Sequence, residues 1–176
     1  MIYNKTAISD LSLLEIEPIE DNRGFFARSW CKEEFRSKGL NCEPMQCGIS
    51  FNKITGTVRG MHYQSAPFEE VKLVRCTKGA IYDVVLDLRK DSPTYKQHVG
   101  FELSELNHKM LYIPAGLAHG FQTLKDNTEV NYQISQVYSG KHSHGVRWND
   151  PSFSITWPLP VTSISDKDQD YEDYIA

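Results

Sequence analysis

The chain has 176 residues, a formal net charge of -4 and 40% hydrophobic content, which suits one domain over residues 1–176 with one sizeable core. Its acidic balance argues against a partner as anionic as nucleic acid, and no run nears the roughly 20 apolar residues that cross a bilayer. The opening Met1-Ile2-Tyr3-Asn4-Lys5 lacks a secretion signal's apolar core, and none of the four cysteines forms a C-x-x-C pair, so free buried thiols in a cytoplasmic protein are expected.

In chain order, the first turn signal is Asp21-Asn22-Arg23-Gly24. A short helix is predicted over Lys32 to Lys38, with Phe35 facing inward. After the turn at Thr55-Gly56, strands are predicted over Val71 to Cys76 and Ala80 to Leu88, separated by Lys78-Gly79. Further strands are predicted over His98 to Leu103, Met110 to Ile113 and Val130 to Tyr138, with a second helix opening near Ser104. Many short strands and few helices point to an all-β fold, an antiparallel sandwich or barrel. In the Ala80–Leu88 segment Ile81, Asp83, Val85 and Asp87 share one face, and Tyr82, Val84, Leu86 and Leu88 the other. Both faces carry apolar groups, which predicts a strand covered on both sides. Lys72 shares the face of Val74 and Cys76, so an ammonium is aimed at an apolar interior and needs a partner or a ligand. Trp148 and Trp157 read as packing residues, His142 and His144 as surface groups. The acidic run Asp166-Lys167-Asp168-Gln169-Asp170, taken alone, reads as a solvated tail.

Two stretches concentrate reactive side chains: Gly56 to Gln64, containing Arg59 and His62, and Ile113 to Phe121, containing His119. They resemble the two signature blocks of the cupins, which are double-sheet jelly rolls. Gly56 and His62 fit the first block, and Pro114, Gly116 and His119 the second. The second histidine of the first block is Gln64 here, a weak ligand for zinc or iron. His62, Glu69 or Glu70, and His119 would make only a poor two-histidine, one-carboxylate site, so no metal is expected. An unligated imidazole is free to act as a base, since histidine ordinarily titrates near neutrality.

Over nearly the whole chain the sequence is similar to the dTDP-4-dehydrorhamnose 3,5-epimerase family, a cupin branch. The similarity is carried by Asp21 to Phe26, Gly56 to Gln64 with Lys72 to Arg75, and Val84 to Arg89 with Ser92-Pro93-Thr94. It continues through Ile113 to Phe121, Trp148 to Pro151 and Ser165 to Asp168. The resemblance implies His62 as proton-abstracting base, Asp168 as its orienting carboxylate, Tyr132 as acid on the opposite side of the sugar and Lys72 as cation beside the ketone oxygen. It implies Arg59 and His119 as pyrophosphate and sugar contacts. Arg23, Phe26, Gln46 and Lys167 would contact the nucleotide, some from a neighbouring subunit. It further implies a homodimer with exchanged N-terminal strands, a nucleotide-sugar substrate, no cofactor, and a place in polysaccharide or related glycoside synthesis. The chemistry is consistent: deprotonation next to a ketone builds charge on oxygen, which a nearby ammonium offsets, and inversion needs a proton from the other face.

Three positions depart from the family pattern: Arg28 and Ser143 stand where glutamate is usual, and Gly48 where asparagine is usual. All three resemble nucleotide or sugar contacts. They leave CDP- or GDP-linked 4-keto sugars, or inversion at C3 alone, as alternatives to a dTDP-linked substrate inverted at C3 and C5. Rival readings of other classes are a metal-dependent cupin oxygenase or isomerase and a non-catalytic sugar-nucleotide binding module.

Overall fold

The structure is a computed structural model and describes residues 1–175. The chain opens with β1 (Ile2–Lys5) and β2 (Ser12–Glu15), then an exposed hairpin of β3 (Ile19–Asp21) and β4 (Gly24–Phe26), then α1 (Lys32–Ser37). Nine strands follow: β5 (Gln46–Asn52), β6 (Val58–Gln64), β7 (Lys72–Lys78), β8 (Ala80–Asp87), β9 (His98–Ser104), β10 (Met110–Ile113), β11 (Leu117–Thr123), β12 (Thr128–Ile134) and β13 (Ser143–Gly145). The C-terminal segment carries α2 (Asp166–Gln169).

These strands form a six-stranded sheet ordered β1-β2-β10-β7-β12-β5 and a five-stranded sheet ordered β13-β6-β11-β8-β9, a jelly-roll sandwich as expected. Alternation along each strand builds three apolar layers. Val74, Cys76, Ile81, Val85, Phe121 and Val130 fill the space between the sheets. Leu14, Leu73, Met110 and Tyr112 form a layer outside the six-stranded sheet, sealed by Phe35 of α1. Met61, Val84, Leu86 and Ala118 form the third, outside the five-stranded sheet, under Phe153 and Trp157. Strand β8 therefore feeds two layers, which explains the hydrophobic groups on both its faces.

Four sequence expectations need correction. No helix opens at Ser104: β9 runs through it, and Asn107 Oδ1 accepts the Ser104 and Lys109 amides while Ser104 Oγ accepts the Asn107 amide. Those side-chain bonds, with one backbone bond from the His108 amide to the Ser104 carbonyl at 3.1 Å, close a single turn that does not continue as a helix. The last long strand ends at Ile134, short of Tyr138, because side chains take over from the ladder: the Tyr138 amide donates to Gln46 Oε1 and the Ser139 amide to Gln64 Oε1. The thiols are free, but only Cys42 and Cys76 are buried, where burial pushes both up to about 11; Cys47 is exposed on edge strand β5. His142 is no plain surface group, since it stacks on Phe68 at 4.6 Å.

Candidate active site

The interior of the sandwich is not apolar throughout. A cavity of about 440 Å³ opens between the sheets, and both contribute polar groups to its walls. On one wall β6 presents His62, and β11 presents His119 directly beside it in register. On the facing wall β12 presents Tyr132 and β7 presents Lys72; Tyr132 pairs with Val74 and Ile134 with Lys72 across that ladder.

His62 is held from behind by the C-terminal segment. The Val58 amide donates to the Ser163 carbonyl at 2.8 Å, drawing this segment along β6. Ser165 then caps α2, its Oγ accepting the Asp168 amide at 3.2 Å. Asp168 is buried as a result, although Asp166, Lys167, Gln169 and Asp170 around it are exposed. One carboxylate oxygen lies 2.6 Å from His62 Nε2, and the other accepts the Gly60 amide at 3.2 Å. Burial works to raise the Asp168 carboxyl, but the bonds from His62, Gly60 and Ser165 outweigh it and hold the group below its ordinary range. An ionised carboxylate only accepts, so the neutral imidazole carries its proton on Nε2 and leaves Nδ1 as the basic nitrogen.

Across the cavity, burial and the nearby Asp83 charge push the Tyr132 phenol far above its ordinary range, so it stays protonated. His119 Nε2 lies 2.9 Å from Asp83 Oδ2, and its ring meets the Tyr132 ring edge-on at 6.1 Å. Lys72 is buried with its ammonium 2.8 Å from Glu70, the partner that an inward lysine required. Arg59 donates through Nε to Asn52 Oδ1 at 2.7 Å, which fixes its guanidinium at the cavity edge.

Of the remaining residues singled out in the sequence, Gln46, Ser143 and Lys167 also line this cavity. Gly48 does not, but it pairs with Tyr132 across the β5–β12 ladder. Arg23, Phe26 and Arg28 lie outside the cavity of their own chain. Arg23 is at the exposed hairpin turn with its guanidinium on Asp21, and Phe26 and Arg28 flank a separate recess with Ile19 and Glu34. Sequence reasoning missed Ser50, Tyr138 and Ser165 as wall residues. A signal existed for Ser165, since serine three residues before an acid marks a helix N-terminus. Among the described residues, no three His, Cys, Asp or Glu side chains converge as metal ligands. Gln64 spends its amide on Phe68, Glu70, Val137 and Ser139.

A two-sheet jelly roll with a histidine-bearing polar cavity between its sheets belongs to the cupin-like class of barrels. Within it, a family model described as dTDP-4-dehydrorhamnose 3,5-epimerase matches residues 5–174. The chain belongs to that family of isomerases. A dTDP-4-dehydrorhamnose 3,5-epimerase of Sinorhizobium fredii is 40% identical over 96% of this chain and 87% of its own length. The crystal structure of the Bacillus anthracis dTDP-4-dehydrorhamnose 3,5-epimerase with TDP and PPi bound superimposes with a TM-score of 0.95 at 42% identity, covering 98% of this chain and 99% of that one. The Legionella pneumophila dTDP-6-deoxy-D-glucose-3,5-epimerase in complex with dTDP-4-keto-L-rhamnose gives a TM-score of 0.88 at 33% identity, covering 95% and 89%.

Proposed function

We propose that the chain epimerises dTDP-4-keto-6-deoxyglucose at C3 and C5. The observation that carries the reading is the placement of a carboxylate-backed imidazole and a protonated phenol on facing walls of one cavity. His62 Nδ1 takes the proton from carbon next to the ketone, and Asp168 stabilises the imidazolium that forms. The electron pair moves to the ketone oxygen, where the Lys72 ammonium offsets it in a partly dry pocket. Tyr132 then delivers a proton to the opposite face of the carbon, which inverts the centre, and proton exchange with solvent returns His62 to its neutral form and Tyr132 to the phenol before the second carbon reacts. Arg59 suits the diphosphate, with His119 turned towards the sugar. No cofactor enters any of these steps.

The assembly we propose is a homodimer. Strand β5 is a sheet edge that shows Ile49 and Phe51 to solvent, and the projecting hairpin shows Ile19 and Phe26, with Ile19 71% exposed. A second copy covering these faces would explain their apolar character. It would also bring Arg23, Phe26 and Arg28 to a neighbouring cavity, where the nucleotide would sit. No described helix is long and apolar enough to cross a membrane, and we propose the cytoplasm, where free thiols persist.

Incubation with dTDP-4-keto-6-deoxyglucose in deuterium oxide tests the activity. Deuterium at C3 and C5 with inverted product is expected. Exchange confined to C3, or faster turnover of CDP- or GDP-linked analogues, would replace the substrate named here. Binding with no exchange would leave a binding module.

A further inference from the structure

Glu70 is a cavity-wall carboxylate that the proton-transfer scheme above does not use. It lies on the approach to β7, two residues before Lys72, and both side chains are only 11% exposed. Its two oxygens are separately engaged. Oε1 takes the Lys72 ammonium at 2.8 Å, and Oε2 accepts from Gln64 Nε2 at 3.0 Å. Gln64 belongs to β6 and follows His62 by two positions, so it projects from the same wall as the imidazole. Its amide is anchored in turn by the Phe68 and Val137 carbonyls and the Ser139 amide. The run Gln64–Glu70–Lys72 therefore spans from the sheet bearing the imidazole to the sheet bearing the ammonium.

From this geometry we propose that Glu70 is a positioning residue. It fixes the Lys72 ammonium against the β6 wall, at the spot where charge builds on the ketone oxygen. This rests on the epimerase reading for its catalytic consequence. A lysine has a flexible four-carbon stem and gains directional hold only from its partners. Without Glu70 the ammonium is free to follow solvent or the substrate's diphosphate, away from the developing oxyanion. The carboxylate also lowers the net field of Lys72 on a resting cavity, so the cation is held without becoming an indiscriminate anion trap.

The test uses Glu70→Ala and Glu70→Gln, each alone and combined with Lys72→Met, with two readouts. The first is solvent deuterium exchange into dTDP-4-keto-6-deoxyglucose, resolved into kcat and KM. Glu70→Ala is expected to lower the exchange kcat by about 10- to 100-fold, the cost of a misplaced catalytic group, with KM moved less than about threefold. Glu70→Gln keeps an oxygen for the ammonium and recovers most of the loss. In the Lys72→Met background Glu70→Ala adds nothing further. The second readout needs no activity: the ¹⁵Nζ ammonium resonance of Lys72, assigned by its loss in Lys72→Met, is expected to be sharp in the parent and in Glu70→Gln and to broaden away in Glu70→Ala. Undiminished exchange in Glu70→Ala, an equal loss in both lysine backgrounds, or an unchanged ammonium resonance overturns the proposal. A parent protein that exchanges no 4-keto sugar nucleotide overturns the epimerase reading instead, and the resonance still decides what Glu70 does.

Discussion

The His62 imidazole has one nitrogen on a buried carboxylate and the other open to the cavity, and its side chain is 37% exposed. In the proposed scheme, the Asp168 charge is what makes the ring an effective base. His62→Ala is expected to abolish deuterium exchange. Asp168→Asn keeps the side chain's shape but removes the charge, and it is expected to lower exchange by about 10²–10⁴-fold, the usual worth of acid–base assistance. Tyr132→Phe should separate the half-reactions: exchange is expected to survive better than inversion, because in the proposed scheme the phenol supplies only the second proton. Product analysis by proton NMR in deuterium oxide reads both quantities at once, and inversion outlasting exchange would reverse the assignments. These positions were unequally legible in the sequence. Lys72 was marked by chemistry alone, as a charge on an apolar strand face. Asp168 was not, since local composition describes a solvated tail and its partner lies 106 residues away. Only the family resemblance pointed to it, and the Ser165 cap together with the Ser163 bond to β6 shows what buries it.

Among the elements, β8 and β10 were read from sequence to within a residue because branched and aromatic side chains and their alternation report pleated, covered surface. The false helix at Ser104 and the overlong β12 share a cause. In both places side-chain acceptors, on Asn107, Gln46 and Gln64, take amides that a continuing helix or strand would bond to backbone, and hydrophobic periodicity carries no record of such bonds. Short elements depend on single anchors. Helix α1 has six residues, too few to be stable by propensity, and Phe35 holds it by packing against Tyr3, Trp30 and Tyr112. Phe35→Ala is expected to cost about 3–5 kcal/mol, measured by urea denaturation. Strands β6 and β11 meet at Gly60, where φ is 124° and a methyl group would run into Gly120 Cα and the His119 carbonyl. Gly60→Ala should therefore destabilise the fold and, by moving the amide that holds Asp168, also slow exchange in whatever protein remains folded. A variant of parental stability and activity would show that the strands can part without harm.

For the molecule as a whole, the joint between the N-terminal segment and the five-stranded sheet combines the apolar seat of Ile8 and Leu11 with a buried electrostatic clamp. Asp87 is fully buried, and its carboxylate accepts from the Arg89 amide and Arg89 Nε, each at 3.0 Å, from Arg89 Nη2 at 2.9 Å, Ser92 Oγ at 2.6 Å and Thr94 Oγ1 at 2.7 Å. Arg89 reaches on to Asp10 and the Ser9 carbonyl, which ties the stretch between β1 and β2 to the end of β8. Burial works to raise the Asp87 carboxyl, but the donors from Arg89, Ser92 and Thr94 win and hold it at about 2. An unfolded aspartate titrates near 3.8, so between these values the unfolded chain binds more protons than the folded one. The stabilisation from this site is complete above about pH 4 and is lost as pH falls through about 2, a swing of roughly 2 kcal/mol for one carboxyl. The surface acids with lowered values, Asp21, Glu43 and Asp126, sit in water and are screened by salt, so they contribute little to the same slope. Asp168, also buried and held low, adds to the parent's slope, so the difference between urea denaturation of the parent and of Asp87→Asn, at intervals from pH 5 to pH 2 in high salt, isolates the Asp87 contribution. Asp87→Asn is expected to be less stable at pH 5, because an amide cannot answer all five donors. Its stability should also fall less steeply than the parent's as acid is added, and parallel curves would mean that acid unfolding is governed elsewhere than at this joint.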